Sequence, residues 1–250
     1  MRIIGGGRAG RSLGAALGAA GWRLEGYLGR DDDPRVAAEG VDLLVIATPD
    51  ATVGDVASRV EPVASTVVVH ISGSLGLDVL SPHPRRASVH PLVPLPDPDV
   101  GATLLRGAVM AVAGDPMARE VVGALGGRPV EVPDEHRAAY HAAACIASNH
   151  LVALLGQVER VAAPVEVPLD AFLGLAATTL DNVARLGPAA ALTGPAARGD
   201  DATLERHRSA LAPSERRAYD ALAAEARRLS GRGGTGRGAA VDAADDRPEG

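Results

Sequence analysis

From residue 1 to about residue 132 the chain alternates short apolar runs with stretches whose apolar residues return every three to four positions. That alternation predicts strands and helices in βαβ order. Strands are expected at 1–4, 23–28, 42–48, 66–71, 87–90, 108–113 and 129–132, with helices at 9–20, 52–60 and 116–125. The run VDLLVIAT, residues 41–48, is nearly all apolar, as a central strand buried on both faces should be. Only residues 31–40 separate the second strand from this one, which is short for a helical crossover. Beyond Pro133 the period is helical throughout: one long stretch at 134–161, another at 169–186, then two shorter ones at 201–211 and 213–229. Residues 230–250 have no periodicity and are rich in Gly and Asp, so they read as a disordered tail. The expected domains are therefore 1–133, 134–229 and the tail.

The first strand runs into GGGRAG, in which Gly5, Gly7 and Gly10 form a G-x-G-x-x-G pattern at the start of a helix. In that context Gly5 permits a tight turn, Gly7 lets backbone approach a pyrophosphate, and Gly10 lets helix and sheet pack closely. Arg8 and Ala9 complete the first turn, whose free amides and partial positive charge suit phosphates. The fold class expected is α/β, a Rossmann-type, mostly parallel N-terminal sheet followed by an all-α C-terminal domain. At the end of the second strand stands Arg30, where an NAD site would place an acid. An arginine there pairs with a 2′-phosphate, which favours NADP(H), although Asp31 to Asp33 follow at once and offer a ribose partner instead. Three more strand ends carry polar or turn residues: Thr48-Pro49-Asp50, Ser72-Gly73-Ser74 and His90-Pro91. Ligands of open α/β sheets bind beyond such ends, so Thr48, Pro49, Asp50, Ser72 and Gly73 join the expected cofactor site.

Composition narrows the chemistry. Hydrophobic residues make up 46% of the chain but aromatics only 2%, so the core must be aliphatic. A net charge of −6 argues against nucleic acid as a partner. One cysteine, Cys145, excludes an intrachain disulfide, and no run reaches the ~18 consecutive apolar residues of a membrane span. With no signal-like start, a cytoplasmic protein without a membrane partner is expected. No metal site is expected. All 25 basic residues are arginine, so no lysine can serve as acid, Schiff base or phosphate clamp.

The helix YHAAACIASNHLVALL, residues 140–155, carries the remaining candidate chemistry. At ~100° per residue, His141, Cys145, Ser148, Asn149 and Val152 share one face. A histidine titrating near neutrality can protonate a developing alkoxide, so His141 is the expected proton donor. Ser148 and Asn149 are its expected companions. Later, LTGPAARGDDATLERH (192–207) holds an Arg-Gly-Asp tripeptide. It reads as a turn followed by a helix cap from Asp200 or Asp201, presenting Arg198.

Taken together, GGGRAG, HISGS, HPLVPL, the 140–155 helix and LTGPAARGD resemble a family that joins a Rossmann-like domain to a helical C-terminal domain of formerly unknown function. That family is related to ketopantoate reductase, pyrroline-5-carboxylate reductase and the β-hydroxyacid dehydrogenases. The resemblance implies NADPH, a substrate cleft, and a homodimer formed through the C-terminal helices. The wider group commonly places a lysine near an asparagine on the first long C-terminal helix. Asn149 matches the asparagine, but no lysine is available, which is why His141 is assigned the proton. The function expected is reduction of a small 2-oxo acid, with ketopantoate the best single substrate. Ser148, Asn149 and Asn182 would polarise the carbonyl and Arg198 would pair with the carboxylate. The alternatives are an imine reductase and a non-catalytic NADP(H)-binding sensor.

Overall fold

The computed structural model describes residues 1–231; the expected tail lies almost wholly outside the described residues. The chain divides into two compact units, Met1–His150 and a second that begins at Leu151.

Seven strands of the first unit form one sheet: β1 (Arg2–Ile4), β2 (Tyr27–Leu28), β3 (Leu43–Ile46), β4 (Val67–His70), β5 (Arg86–Pro91), β6 (Val109–Gly114) and β7 (Arg128–Glu131), in the order β2-β1-β3-β4-β5-β6-β7. All neighbours are parallel except β5 and β6. The chain goes outward from β1 to β2 and returns to the other side of β1 as β3, so the order reverses at β1/β3. A crevice at the strand carboxyl ends is expected at such a reversal.

Burial on both faces follows from β3. Leu43 and Val45 point into one apolar layer, with Leu13 and Leu17 of α1 (Arg8–Ala19), while Leu44 and Ile46 point into the other, with Val53 and Ala57 of α2 (Asp50–Arg59). All four β3 residues are fully buried, each contributing about 1.5–3 kcal/mol of transfer free energy. Trp22, the sole tryptophan, follows α1 and lies half-buried against the first layer. Two more helices belong to this sheet, α3 (Pro98–Leu104) and α4 (Met117–Ala124). Helix α3 was not expected; Asp97 caps it by accepting from the amides of Asp99 and Val100, with Pro98 at its first position. The 31–41 segment forms no helix, in line with its length.

The long helical stretch expected at 134–161 is not one α-helix. It runs as α5 (Arg137–Cys145), a π-helical turn at Ile146–His150, and α6 (Leu151–Ala162). The wider π-turn breaks the 100° spacing, so the single face drawn through His141, Ser148, Asn149 and Val152 does not hold. No proline or glycine marks the turn. The second unit continues with α7 (Leu169–Leu186), the short turns α8 (Pro188–Ala191) and α9 (Pro195–Arg198), α10 (Asp201–Ala210) and α11 (Pro213–Leu229). By length and composition, the stretch Asp134–Val165 is long and apolar enough to cross a bilayer.

Candidate functional site

The glycine loop joins β1 to α1 at the reversal point. Gly5 sits at φ +105°, and a Cβ there would lie 2.5 Å from the carbonyl oxygen of Ala47. A Cβ on Gly10 would overlap the carbonyl oxygen of Gly5. Gly7 differs: its φ of −74° is ordinary, and a Cβ there would meet nothing within 4 Å. Two glycines are thus required by packing, and the third leaves open space in front of the helix. No side chain caps α1 and its first turn, Arg8, Ala9 and Gly10, holds no acid, so the terminus is suited to an anion.

A cleft of about 470 Å³ opens here, bounded by Gly5 to Gly7, Gly29 and Arg30 after β2, and Thr48 and Pro49 after β3. The hydroxyl of Thr48 is buried with no partner. Of the competing acids, Asp32 lines this cleft as well, whereas Asp33 does not. Asp32 accepts from the Gly29 amide at 2.6 Å, and Asp33 pairs with Arg35 at 2.9 Å. Arg59, in the last turn of α2, also lines the cleft and was not foreseen. Glycine turn, open helix terminus, orphan hydroxyl and guanidinium together fit a phosphorylated dinucleotide.

A second polar group stands at the ends of β4 and β5. Asp50 accepts hydrogen bonds from the hydroxyls of Ser72 (2.6 Å) and Ser74 (2.8 Å), tying the turn after β4 to the first turn of α2. Next to them Gly73 leaves room for two histidines: a Cβ there would lie 2.6 Å from Cδ2 of His141 and 2.8 Å from Nε2 of His90. The two rings meet edge to face with centroids 5.7 Å apart. Nδ1 of His90 lies 2.7 Å from the hydroxyl of Tyr140, and Nε2 of His141 lies 3.9 Å from Sγ of Cys145.

Beneath these groups Arg137 is buried, donating to the Ser88 hydroxyl from Nη2, while Nε and Nη1 have no partner. No carboxylate forms an ion pair with it among the described residues. His70 is fully buried with neither ring nitrogen in a hydrogen bond of good geometry, although, against burial, the Gly76 backbone pulls its pKa up. Burial, aided by the Arg137 charge, pushes His70 down to about 4, so its ring is neutral. Burial first, then His141 and Arg137, push His90 down to about 4 as well. Burial raises the Tyr140 phenol to about 12, against the pull of Arg137.

Of the residues expected from sequence, the structure therefore gathers Gly5, Gly7, Arg30, Thr48 and Pro49 around one cleft. It links Asp50 to Ser72, and sets Gly73 against His141. Ser148 and Asn149 are exposed on the π-turn. In the second unit Asn182 is half-buried within reach of Arg185 at 3.5 Å, and Arg198 is exposed at the end of α9. That unit has its own apolar cavity of about 790 Å³, which Thr193 lines but Asn182 and Arg198 do not. Arg137, Tyr140 and the pairing role of His90 escaped sequence reading, because a single buried polar side chain leaves no periodic trace. No cluster of metal-ligating side chains occurs among the described residues.

Residues 109–226 match the family model described as a domain of unknown function, DUF2520. The expected resemblance holds. No curated protein matches the chain in sequence. Among solved structures, a Bacteroides fragilis protein provisionally assigned as an NADP oxidoreductase superposes with a TM-score of 0.76 at 19% identity, covering 91% of this chain and 97% of that one. A Thermotoga maritima protein gives a TM-score of 0.70 at 23% identity, covering 92% and 98%. A reductive aminase from Aspergillus terreus, in complex with NADPH and ethyl levulinate, gives 0.67 at 18% identity, covering 93% and 94%. At these identities the likeness is one of fold: a Rossmann-like domain followed by a helical one.

Proposed function

We propose that this protein is an NADP(H)-dependent oxidoreductase that reduces the carbonyl of a small 2-oxo acid, with ketopantoate the preferred candidate. The observation that carries the reading is the cleft at the β1/β3 reversal, where Gly7 leaves the helix terminus open and Arg30 stands at the end of β2. Asp33 is paired with Arg35, and Asp32, which lines the cleft, already accepts from the Gly29 amide; with Arg30 and Arg59 also lining it, the cleft supports a 2′-phosphate over a 2′-hydroxyl. The NADP oxidoreductase assignment and the NADPH complex among the fold relatives agree with this.

In this reading the α1 amides hold the pyrophosphate and Arg30 the 2′-phosphate. Bound there, a reduced nicotinamide supplies hydride. The Asp50–Ser72–Ser74 bonds fix the loop that frames the reacting end, and the proton comes from the histidine pair beside Gly73, of which His141 is the donor proposed from sequence. Within the first unit, Ser148 and Asn149 are proposed to orient the carbonyl. A homodimer in the cytoplasm is part of the proposal; the exposed leucines 175, 180 and 186 on α7 support association through the helical unit. Sedimentation of the full chain as a monomer would refute that part.

The deciding experiment is NADPH oxidation by the full chain, offered ketopantoate, pyrroline-5-carboxylate and other oxo acids. Turnover of ketopantoate above the rest is expected. Preference for the imine would make it an imine reductase, and tight NADPH binding without turnover would make it a sensor.

A further inference from the structure

In the reading above the proton comes from the histidine pair beside Gly73, with no part given to Tyr140 or the buried cation Arg137, which with His90 form the most unusual polar group in the first unit. The hydroxyl of Tyr140 has one partner among the described residues, Nδ1 of His90. With Nδ1 of His90 as the acceptor, the phenolic hydrogen of the half-buried Tyr140 is satisfied within the protein. In that arrangement Tyr140 donates and the proton of the neutral His90 ring sits on Nε2, which is the tautomer the relay below requires. That nitrogen has no protein partner and is not sealed from solvent. It points to the space above Gly73, where any larger residue would displace it.

We propose that of the histidine pair it is His90, not His141, that gives the proton, and that His90 and Tyr140 form the proton relay of the reduction. This rests on the reductase reading above. As the carbonyl carbon gains its C–H bond and the C=O π bond breaks, the developing oxyanion takes the proton from Nε2 of His90. Nδ1 of the same ring takes the proton of Tyr140, so the imidazole stays neutral throughout. The charge ends on the phenolate, and solvent returns the proton after product leaves. Arg137 accounts for the last step: a guanidinium buried without a carboxylate is costly unless a negative charge arrives nearby. Its field already draws the Tyr140 phenol downward against burial. His90 is the catalytic residue of the relay, and Tyr140 and Arg137 act through it. His141 then packs against the donor and supports its orientation.

The test uses the full chain and whichever panel substrate the wild type turns over. Tyr140→Phe should lower kcat about 100-fold or more, the usual range for a general acid, with KM and the NADPH Kd little changed. His90→Gln should do the same, and His141→Gln should lose less than tenfold. Nitrogen NMR of the free protein gives a readout apart from activity. His90 should hold its proton on Nε2 between pH 6 and 8, and Tyr140→Phe should release that preference. The groups facing His90 that bear on this titration are His141, Arg137, Asp50 and His70. Tyr140→Phe retaining kcat within twofold, His141→Gln causing the larger loss, or a proton found on Nδ1 would each overturn the relay while leaving the reductase reading intact. A folded wild type that binds NADPH but reduces no oxo acid or imine would overturn both.

Discussion

Replacing Gly7 and Gly10 separately by alanine distinguishes a glycine loop built to hold a ligand from one built only to turn. At Gly7 the backbone, φ −74° and ψ −175°, suits any L-residue, and a new Cβ meets nothing within 4 Å. The cost to the folded chain is that of a poorer N-cap, under about 1 kcal/mol. The methyl group does fill the space through which a pyrophosphate would reach the amides. Loss of one charge-assisted hydrogen bond is about 1.5–3 kcal/mol, which raises the NADPH Kd roughly 10- to 150-fold. At Gly10 the Cβ would overlap the Gly5 carbonyl oxygen and stand 3.1 Å from Cβ of Ala47. Helix α1 must then move off the sheet, at about 1–3 kcal/mol for overpacking, or a Tm lower by about 2–12 °C. Calorimetric titration with NADPH and thermal melting of both variants read the two effects. Gly7→Ala binding NADPH as tightly as wild type would refute the assignment of this loop to a phosphate group.

Three further outcomes follow from individual contacts. Arg30→Ala should weaken NADPH about tenfold or more and leave NADH unchanged, measured by cofactor fluorescence; equal loss for both would remove Arg30 from the 2′-phosphate. Asp200 accepts from the Thr203 amide at 3.0 Å and its hydroxyl at 2.7 Å, so Asp200→Ala should cost about 0.5–2 kcal/mol in urea unfolding, with Asp200→Asn milder. His70 is held at about 4 in the fold against 6.5 as a free side chain, so the unfolded chain binds its proton first as pH falls. Stability should drop from pH 6.5 toward 4 on this account, and His70→Asn should flatten that slope by up to about 1.4 kcal/mol per pH unit. An unchanged slope would mean the ring is not the buried neutral group described here.

Much of the sheet was legible because its strands are bounded by glycine, proline and charge. All seven were expected, and β3 announced its double burial in VDLLVIAT. β2 is only two residues long: Gly26 takes φ +155° directly before it, and residues 23–26, though hydrogen-bonded to Met1 and Ile3, do not form a regular strand. α3 was missed because Pro98 and Gly101 read as loop, although Asp97-Pro98 was a usable cap signal. The Arg-Gly-Asp stretch resolved as foreseen: α9 ends at Arg198, Gly199 takes φ +72°, and Asp200 caps α10. The polar cluster was less legible. His90 and Tyr140 lie fifty positions apart, and only the sheet register and the start of α5 bring them to 2.7 Å. Counting faces on an ideal helix misled at 146–150, because nothing in the composition of that segment marks a π-turn.

The poverty of aromatic residues turns Trp22 into an optical label. Excited selectively, the indole emits from the first unit alone, whereas the larger share of the helical circular dichroism signal comes from the helices of 151–231. Emission and dichroism followed through the same denaturant series will coincide if the two units melt as one cooperative body. They will separate into two midpoints if each melts alone, with no added dye or engineered probe.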